Sequence, residues 1–348
     1  MKEEHRKNEK GKNLSNVNVS RANNQGLFWN IYSFTCITLS VILIIFSCFI
    51  INDYKENIKK INVNYRWPKL SDLVPSIFIL PLIMISKTAI EYFSIGFVDK
   101  VLAKKIKESK EKFNIYRHKL TRHVYKIIFY SGITAFGYYV LHNLPYFPKS
   151  MFGNGWMPNM FIKGYPDCLF HEKPPLFDLY YNISLAYFVN DFIFLFIMER
   201  QNDFYIMILH HICTISLIIF SFITNYSNIG SLVIFCHMQS DIIVHVTRFL
   251  VNTDCSLIIV GFVGMLFLLN YSYMRQYVFG DMIYTIWKYA NFKWGVIERS
   301  LVLFLVFLYI MHIRWTSILI IKTYQLFTKR TNVGDDVNFD KLNKEKTN

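Results

Sequence analysis

The sequence predicts an all-α integral membrane protein of about eight transmembrane helices, and three observations predict it. Apolar residues make up 53% of the 348-residue chain, with aromatic residues at 18%. They fall in blocks of roughly 20 or more, long enough to cross about 30 Å of hydrocarbon as helix. The Lys and Arg behind a formal net charge of +14 sit mainly in the tails and in one stretch between blocks, as in cytosolic segments of membrane proteins. That distribution argues against a nucleic-acid partner, whose footprint would be a basic face on a folded domain. No segment outside the blocks is long enough to fold around a core of its own.

Residues 1–26, rich in Asn, Lys and Glu, read as a disordered basic cytosolic tail. Leu27–Ile51 reads as an additional N-terminal transmembrane helix, because it lacks the short apolar region and small-residue cleavage site of a signal peptide. The next span, Leu73–Val98, carries Lys87 and Glu91 four residues apart, a spacing at which they can pair. Asp99–Arg122 holds nine Lys and Arg against three acids and reads as a cytosolic loop. Six further spans follow: His123–His142, Phe177–Met198, Tyr205–Thr224, Asn228–Leu250, Cys255–Phe279 and Val296–Ile321. Eight spans put both termini on one side, and the basic loop makes that side the cytosol. The mildly basic loop Asn52–Asp72 is the exception. Asn143–Leu176, with Trp156, Tyr165, Pro166, Pro174 and Pro175, reads as an interfacial lumenal lid, and residues 329–348 as a disordered cytosolic tail. Only Cys168 of the six cysteines lies in a long loop, and no disulfide framework or CxxC pair exists.

Ionisable side chains inside apolar spans are costly unless paired or facing a cavity, so a cluster of them marks a functional site. His210 and His211 lie in one span, His237, Asp241 and His245 in the next. The connecting residues, Asn225–Asn228, are so few that the two helices are antiparallel neighbours. At about 1.5 Å per residue, His211 and Asp241 both fall roughly 22 Å from the turn, in the cytosolic half. Asp191 and His312 reach a similar depth. His237, Asp241 and His245 share one helical face, whereas His210 and His211 diverge by about 100 degrees. A carboxylate beside an imidazole fixes its tautomer and raises its basicity, as a general base requires. A neutral imidazole could instead take an acyl group as an acyl-imidazole. Interhelical hydrogen bonding and a metal site are the other readings, but the spacings form no recognised metal signature such as HExxH. No pair of broken helices suggests a transporter.

The order of these residues resembles the ceramide synthase branch of the TLC-domain family. The pair His210–His211, Gly230, the run His237, Met238, Gln239, Ser240, Asp241, and then Arg248 follow its core motif. Asn202–Asp203–Phe204 resembles the family's Lys-Asp-Phe, and Gly164–Tyr165–Pro166 its loop motif. Lys112, Phe113, His312 and Trp315 also stand where the family places such residues. The resemblance implies a TLC-type six-helix bundle over residues 112–328 enclosing a lipid cavity, with the 73–98 helix before it. It implies transfer of a fatty acyl group from acyl-CoA to the amine of a sphingoid base, giving (dihydro)ceramide in the endoplasmic reticulum membrane. Acyl-CoA is then a co-substrate, with no cofactor and no metal, and the family is compatible with homo- or hetero-dimers. His210, His211, His237 and Asp241 become the expected catalytic residues, and Asp191, Ser240, Arg248 and His312 the expected substrate-binding ones. The expected mechanism has His211, oriented by Asp241, deprotonate the amine, with acylation of His210 as the family's other route. Acyl-CoA phosphates would meet the basic loop and Arg248. Met238 departs from the family, which usually carries an aspartate there. The alternative this raises is a non-catalytic TLC-domain lipid-binding or translocon-associated protein.

Overall fold

The computed structural model describes residues 65–329, apart from 103, 108–109, 198–202 and 291–295, together with parts of the stretch 35–57. Among the described residues the chain is predominantly helical, with no strand, and seven helices are long and apolar enough to cross a membrane. The described positions between 35 and 51 are helical. The rest of the expected first span lies outside the described residues, as do the N-terminal tail and nearly all of the C-terminal one.

A short 3-10 turn, Leu70–Leu73, leads into α1, Pro75–Val101; α2 is Lys110–Leu141, α3 Phe177–Ile197, α4 Phe204–Ile223 and α5 Ser227–Leu250. Then α6, Leu257–Ser272, continues through a π-helical segment, Tyr273–Val278, into α7, Phe279–Tyr289, and α8 is Val296–Lys329. α1 lies on the rim, against α2 and α3. Its outer face exposes Phe78, Leu82, Ile85 and Phe93, the surface that lipid rather than water tolerates. The remaining helices, with α6, the π segment and α7 counted as one rod, make a six-helix bundle.

Three boundaries differ from expectation. Most of the basic stretch Asp99–Arg122 is helix rather than open loop: a single turn at Lys104–Lys107, then α2 from Lys110. Lys, Arg and Glu are good helix formers, and the long cations let a helix run past the hydrocarbon edge. The rod beginning at Leu257 does not stop at Phe279 but reaches Tyr289; its last turns are amphipathic, and their polar residues look like a span boundary. Lys87 and Glu91 do not pair. The Lys87 ammonium sits over the Phe194 ring, 2.9 Å from its centre, and Glu91 Oε1 is buried with no hydrogen-bond partner.

The turn from α4 to α5 is closed by Asn225 in the left-handed region, φ 62°, which Asn tolerates better than most residues. Its Nδ2 donates to the Leu169 carbonyl. That bond ties the turn to the 142–176 segment, which is folded in three 3-10 turns over the end of the bundle and buries Phe147, Met151, Met157 and Leu169. Phe147 meets Phe235 of α5 edge to face, ring centres 5.1 Å apart.

His171, in this cap, lies 3.1 Å from the Ser227 hydroxyl through Nε2. Burial, reinforced by nearby Lys173, pushes its pKa down to about 4. In the unfolded chain the imidazole titrates near 6.5, so below that pH the unfolded state takes up a proton that the folded state refuses. The stability contributed by neutral His171 is complete above about pH 6.5 and is lost as pH falls toward about 4, a loss on the order of 3 kcal/mol. Thermal midpoints in detergent should therefore drop across that window in the wild type and less steeply in His171→Gln.

Gly230 lies where α5 passes α3 and α4. A Cβ there would overlap the Tyr181 hydroxyl and Ser221 Oγ, and Tyr181 cannot swing away without losing its 3.0 Å bond to the Ser227 carbonyl. Gly230→Ala is expected to cost about 1–3 kcal/mol. Gly264→Ala, inside α6 where a Cβ meets nothing within 4 Å, is the control and should not lower the melting temperature, alanine being the better helix former.

Candidate active site

The π segment decides the geometry of the polar layer. A π turn adds a residue to a helical turn and rotates the next residues about the axis, a device found often at functional sites, and here the segment carries Arg275 into the bundle at 3% side-chain exposure. Its Nε donates to Ser240 Oγ at 2.6 Å, and its Nη1 to His312 Nε2 at 3.1 Å. Nη2 donates to the His237 carbonyl at 3.1 Å and to Asp241 Oδ1 at 2.6 Å. Four of the five guanidinium N–H groups are thus engaged, leaving one on Nη1.

These bonds assign tautomers. An arginine cannot accept, so His312 Nε2 is a bare acceptor and its proton sits on Nδ1. His237 Nδ1 lies 2.8 Å from the Val233 carbonyl; a carbonyl cannot donate, so Nδ1 carries the proton and Nε2 is left with a lone pair. That Nε2 is buried and has no partner. Around it stand His210 and His312, ring centres 6.0 and 5.0 Å away, with Phe279 at 5.7 Å. Trp315 covers His210 at 5.3 Å.

His211 points elsewhere, as the divergence of adjacent residues requires. Its ring lies 5.8 Å from Phe192 and faces the same cavity as Asp191, whose carboxylate holds Lys126 Nζ at 2.8 Å. The expected pairing of His211 with Asp241 is therefore corrected: Asp241 belongs to Arg275. Counting residues from a turn fixes depth but not which neighbour fills the space between two side chains. Ser240, expected to touch substrate, instead receives Arg275 and donates back to the Cys236 and His237 carbonyls, at 2.9 and 3.0 Å. His312 is fully buried behind the arginine. Asp191 and Arg248 do face the cavity, as does His245, whose Nδ1 lies 3.1 Å from Nδ1 of His123. Met238 is fully buried in the apolar core and takes no part in the polar layer.

Two cavities lie near the histidine layer; His237 itself lines neither. One, about 400 Å³, is lined by His210, His211, Asp241 and Arg275, and runs past His245 and Arg248 to Asp203, Val251 and Asn252 at the helix ends. Those ends adjoin the Lys104–Lys107 turn, whose Lys104 N–H bonds Asp254 at 3.1 Å. The other is a seam of about 30 Å³ between α4, α5, α7 and α8 that starts at Val233, one turn before His237, and is almost wholly apolar. Among the described residues, no three His, Cys, Asp or Glu side chains are grouped as a metal ion would need.

Arg275 and Lys126 went unrecognised in the sequence although the signal was present, since each is a cation inside an apolar span. A lone arginine in Cys255–Phe279 demands a buried acid, and Asp241 is at hand.

The TLC-domain family model matches residues 119–321, more than half of the chain. ASC1-like protein 1 of Oryza sativa subsp. japonica is 24% identical over 284 residues, covering 76% of this chain and 88% of that protein. Ceramide synthase LOH2 of Arabidopsis thaliana is 22% identical, covering 62% of this chain and 72% of its own length. Ceramide synthase hyl-2 of Caenorhabditis elegans is 29% identical, covering 49% and 55%. With the matched region coinciding with the bundle that encloses the histidine layer, the chain belongs to the TLC-domain family.

Proposed function

We propose that this protein is an acyl-CoA-dependent sphingoid base N-acyltransferase, a ceramide synthase, of the endoplasmic reticulum membrane. The observation that carries the reading is the bare, buried Nε2 of His237, beside His210 of the polar chamber and one α5 turn from Val233 of the apolar seam. A sphingoid amine arrives as an ammonium, and it must lose a proton before it can attack a thioester. His237 Nε2 accepts that proton, its tautomer held by the Val233 carbonyl. The amine nitrogen then bonds to the thioester carbon, and the oxyanion that forms is met by the unengaged N–H on Arg275 Nη1. Collapse breaks the carbon–sulfur bond; the nitrogen, which carries two hydrogens and a positive charge after attack, gives one of them to the departing thiolate, and the imidazolium releases its proton to water in the chamber. Asp241 keeps the guanidinium in place at 2.6 Å rather than orienting His211. His210, its ring centre 6.0 Å from that of His237, lines the chamber in which the substrate would sit.

The names of the relatives support this substrate class, and the two cavities support two ligands of different polarity. Acyl-CoA would enter from the side of Arg248 and the Lys104–Lys107 turn, the side the positive-inside bias assigns to the cytosol, and its tail would follow the apolar route past His237. The test is formation of N-acyl sphingoid base by the purified full chain in detergent, across a panel of acyl-CoAs. Protein that binds sphingoid base yet gives no product with any acyl-CoA would replace this reading with a non-catalytic lipid-binding one.

A further inference from the structure

The apolar seam ends on an unusual group. Glu298, in the first turn of α8, is 2% exposed; its Oε1 accepts from the Tyr226 hydroxyl at 3.0 Å, and its Oε2 has no partner. The carboxylate lines the seam with Tyr226, while the walls are Leu217, Ile218, Ile286, Leu301 and similar residues. An ionisable residue buried in a membrane bundle marks a functional position by default, and neither the histidine layer nor the chemistry above uses this one. The void of about 30 Å³ admits about one water as it stands, so an aliphatic chain enters the seam only by parting its Leu, Ile and Val walls.

The seam's direction says what brings that hydroxyl. It starts one turn of α5 from His237 and closes at Tyr226, 11 residues back, about 16 Å along the helix. A slender aliphatic chain whose thioester stands at His237 would therefore run toward Glu298 and meet it with its far end. A terminal methyl leaves Oε2 unsatisfied and removes any water that was satisfying it. A terminal hydroxyl donates to it. We propose that Glu298, held by Tyr226, is a specificity residue that selects acyl chains carrying a hydroxyl at or near the far end over unsubstituted chains of the same length.

This inference rests on the acyl-transfer reading, so its test has two arms that separate the two. In the first, purified full chain is given equimolar ω-hydroxyacyl-CoA and plain acyl-CoA over a series of chain lengths, and both products are quantified. The hydroxylated chain should win by about tenfold or more at one matching length, since a site built to bond a hydroxyl rejects its absence strongly. Glu298→Leu should reverse the preference, and Glu298→Gln, which keeps the shape, should weaken it. Equal ratios in wild type and variants would mean that Oε2 holds a water only, and would overturn the proposal while leaving acyl transfer intact. In the second arm, acyl-CoA bearing a terminal diazirine is photolysed with the wild type, and the labelled residue is mapped by mass spectrometry. Label on Glu298, Tyr226 or Leu301 supports the seam as the chain's path even if no turnover is found. Label confined to other helices overturns it.

Discussion

His237→Ala should lower N-acyl transfer by about 10²- to 10⁴-fold, the range that a positioned acid–base group contributes. The reduction is expected in kcat and in kcat/KM alike, because proton removal is needed in the transition state and not for holding acyl-CoA. His211→Ala should cost less. Its imidazole lies over Phe192 and beside the Lys126–Asp191 pair, where it can shape the chamber but is not among the rings gathered about Arg275. The comparison is made on purified proteins of matched thermal midpoint, with product measured by mass spectrometry at saturating substrates. Turnover near wild type in His237→Ala, or a larger loss in His211→Ala, would show that the base is elsewhere. The variant is informative because His237 makes only one bond through its ring, to a carbonyl of its own helix, so truncation removes chemistry with little disruption of the bundle.

The sequence displayed the bundle and most of the layer because both rest on one-dimensional quantities. Span length follows from apolar runs, and depth follows from rise per residue, which is why His211, Asp241, Asp191 and His312 could be placed in one slab before any helix was packed. Azimuth and partnership were not legible. Asp241 pairs across to Arg275 because the π segment turns that side chain inward, and nothing in YMRQYV signals a π turn. Ser240 reads as a substrate hydroxyl until the arginine that it holds is known. The extra turns of α7 were hidden for a related reason: Asp281 and Lys288 end a hydropathy window without ending a helix. Glu298 escaped notice because it sits at the edge of a span, where a charge ordinarily faces headgroups.

Arg275→Met should be the most destabilising single change in the layer, by about 3–5 kcal/mol. The Asp241 side chain is 23% exposed to the chamber, and that access to water favours the lower end. The loss is not one of attraction alone. The substitution strands the Asp241 carboxylate, the Ser240 hydroxyl, the His237 carbonyl and His312 Nε2 together, each buried or partly buried in a medium where an unmade bond is costly. Arg275→Lys should recover only part, since an ammonium has three donors and no planar fork with which to reach four acceptors. Removing both charges, as Arg275→Met with Asp241→Leu, should restore much of the stability that the single variant loses, because an ion pair replaced whole by apolar groups is often neutral while a broken one is not. Thermal or denaturant midpoints of the wild type, Arg275→Met, Asp241→Leu and the double variant form the cycle, and a double variant no more stable than Arg275→Met would mean that the two side chains are not coupled. The same double variant separates structure from chemistry: if the remaining Nη1 hydrogen serves the oxyanion, it folds and binds acyl-CoA yet turns over about 10²- to 10³-fold more slowly.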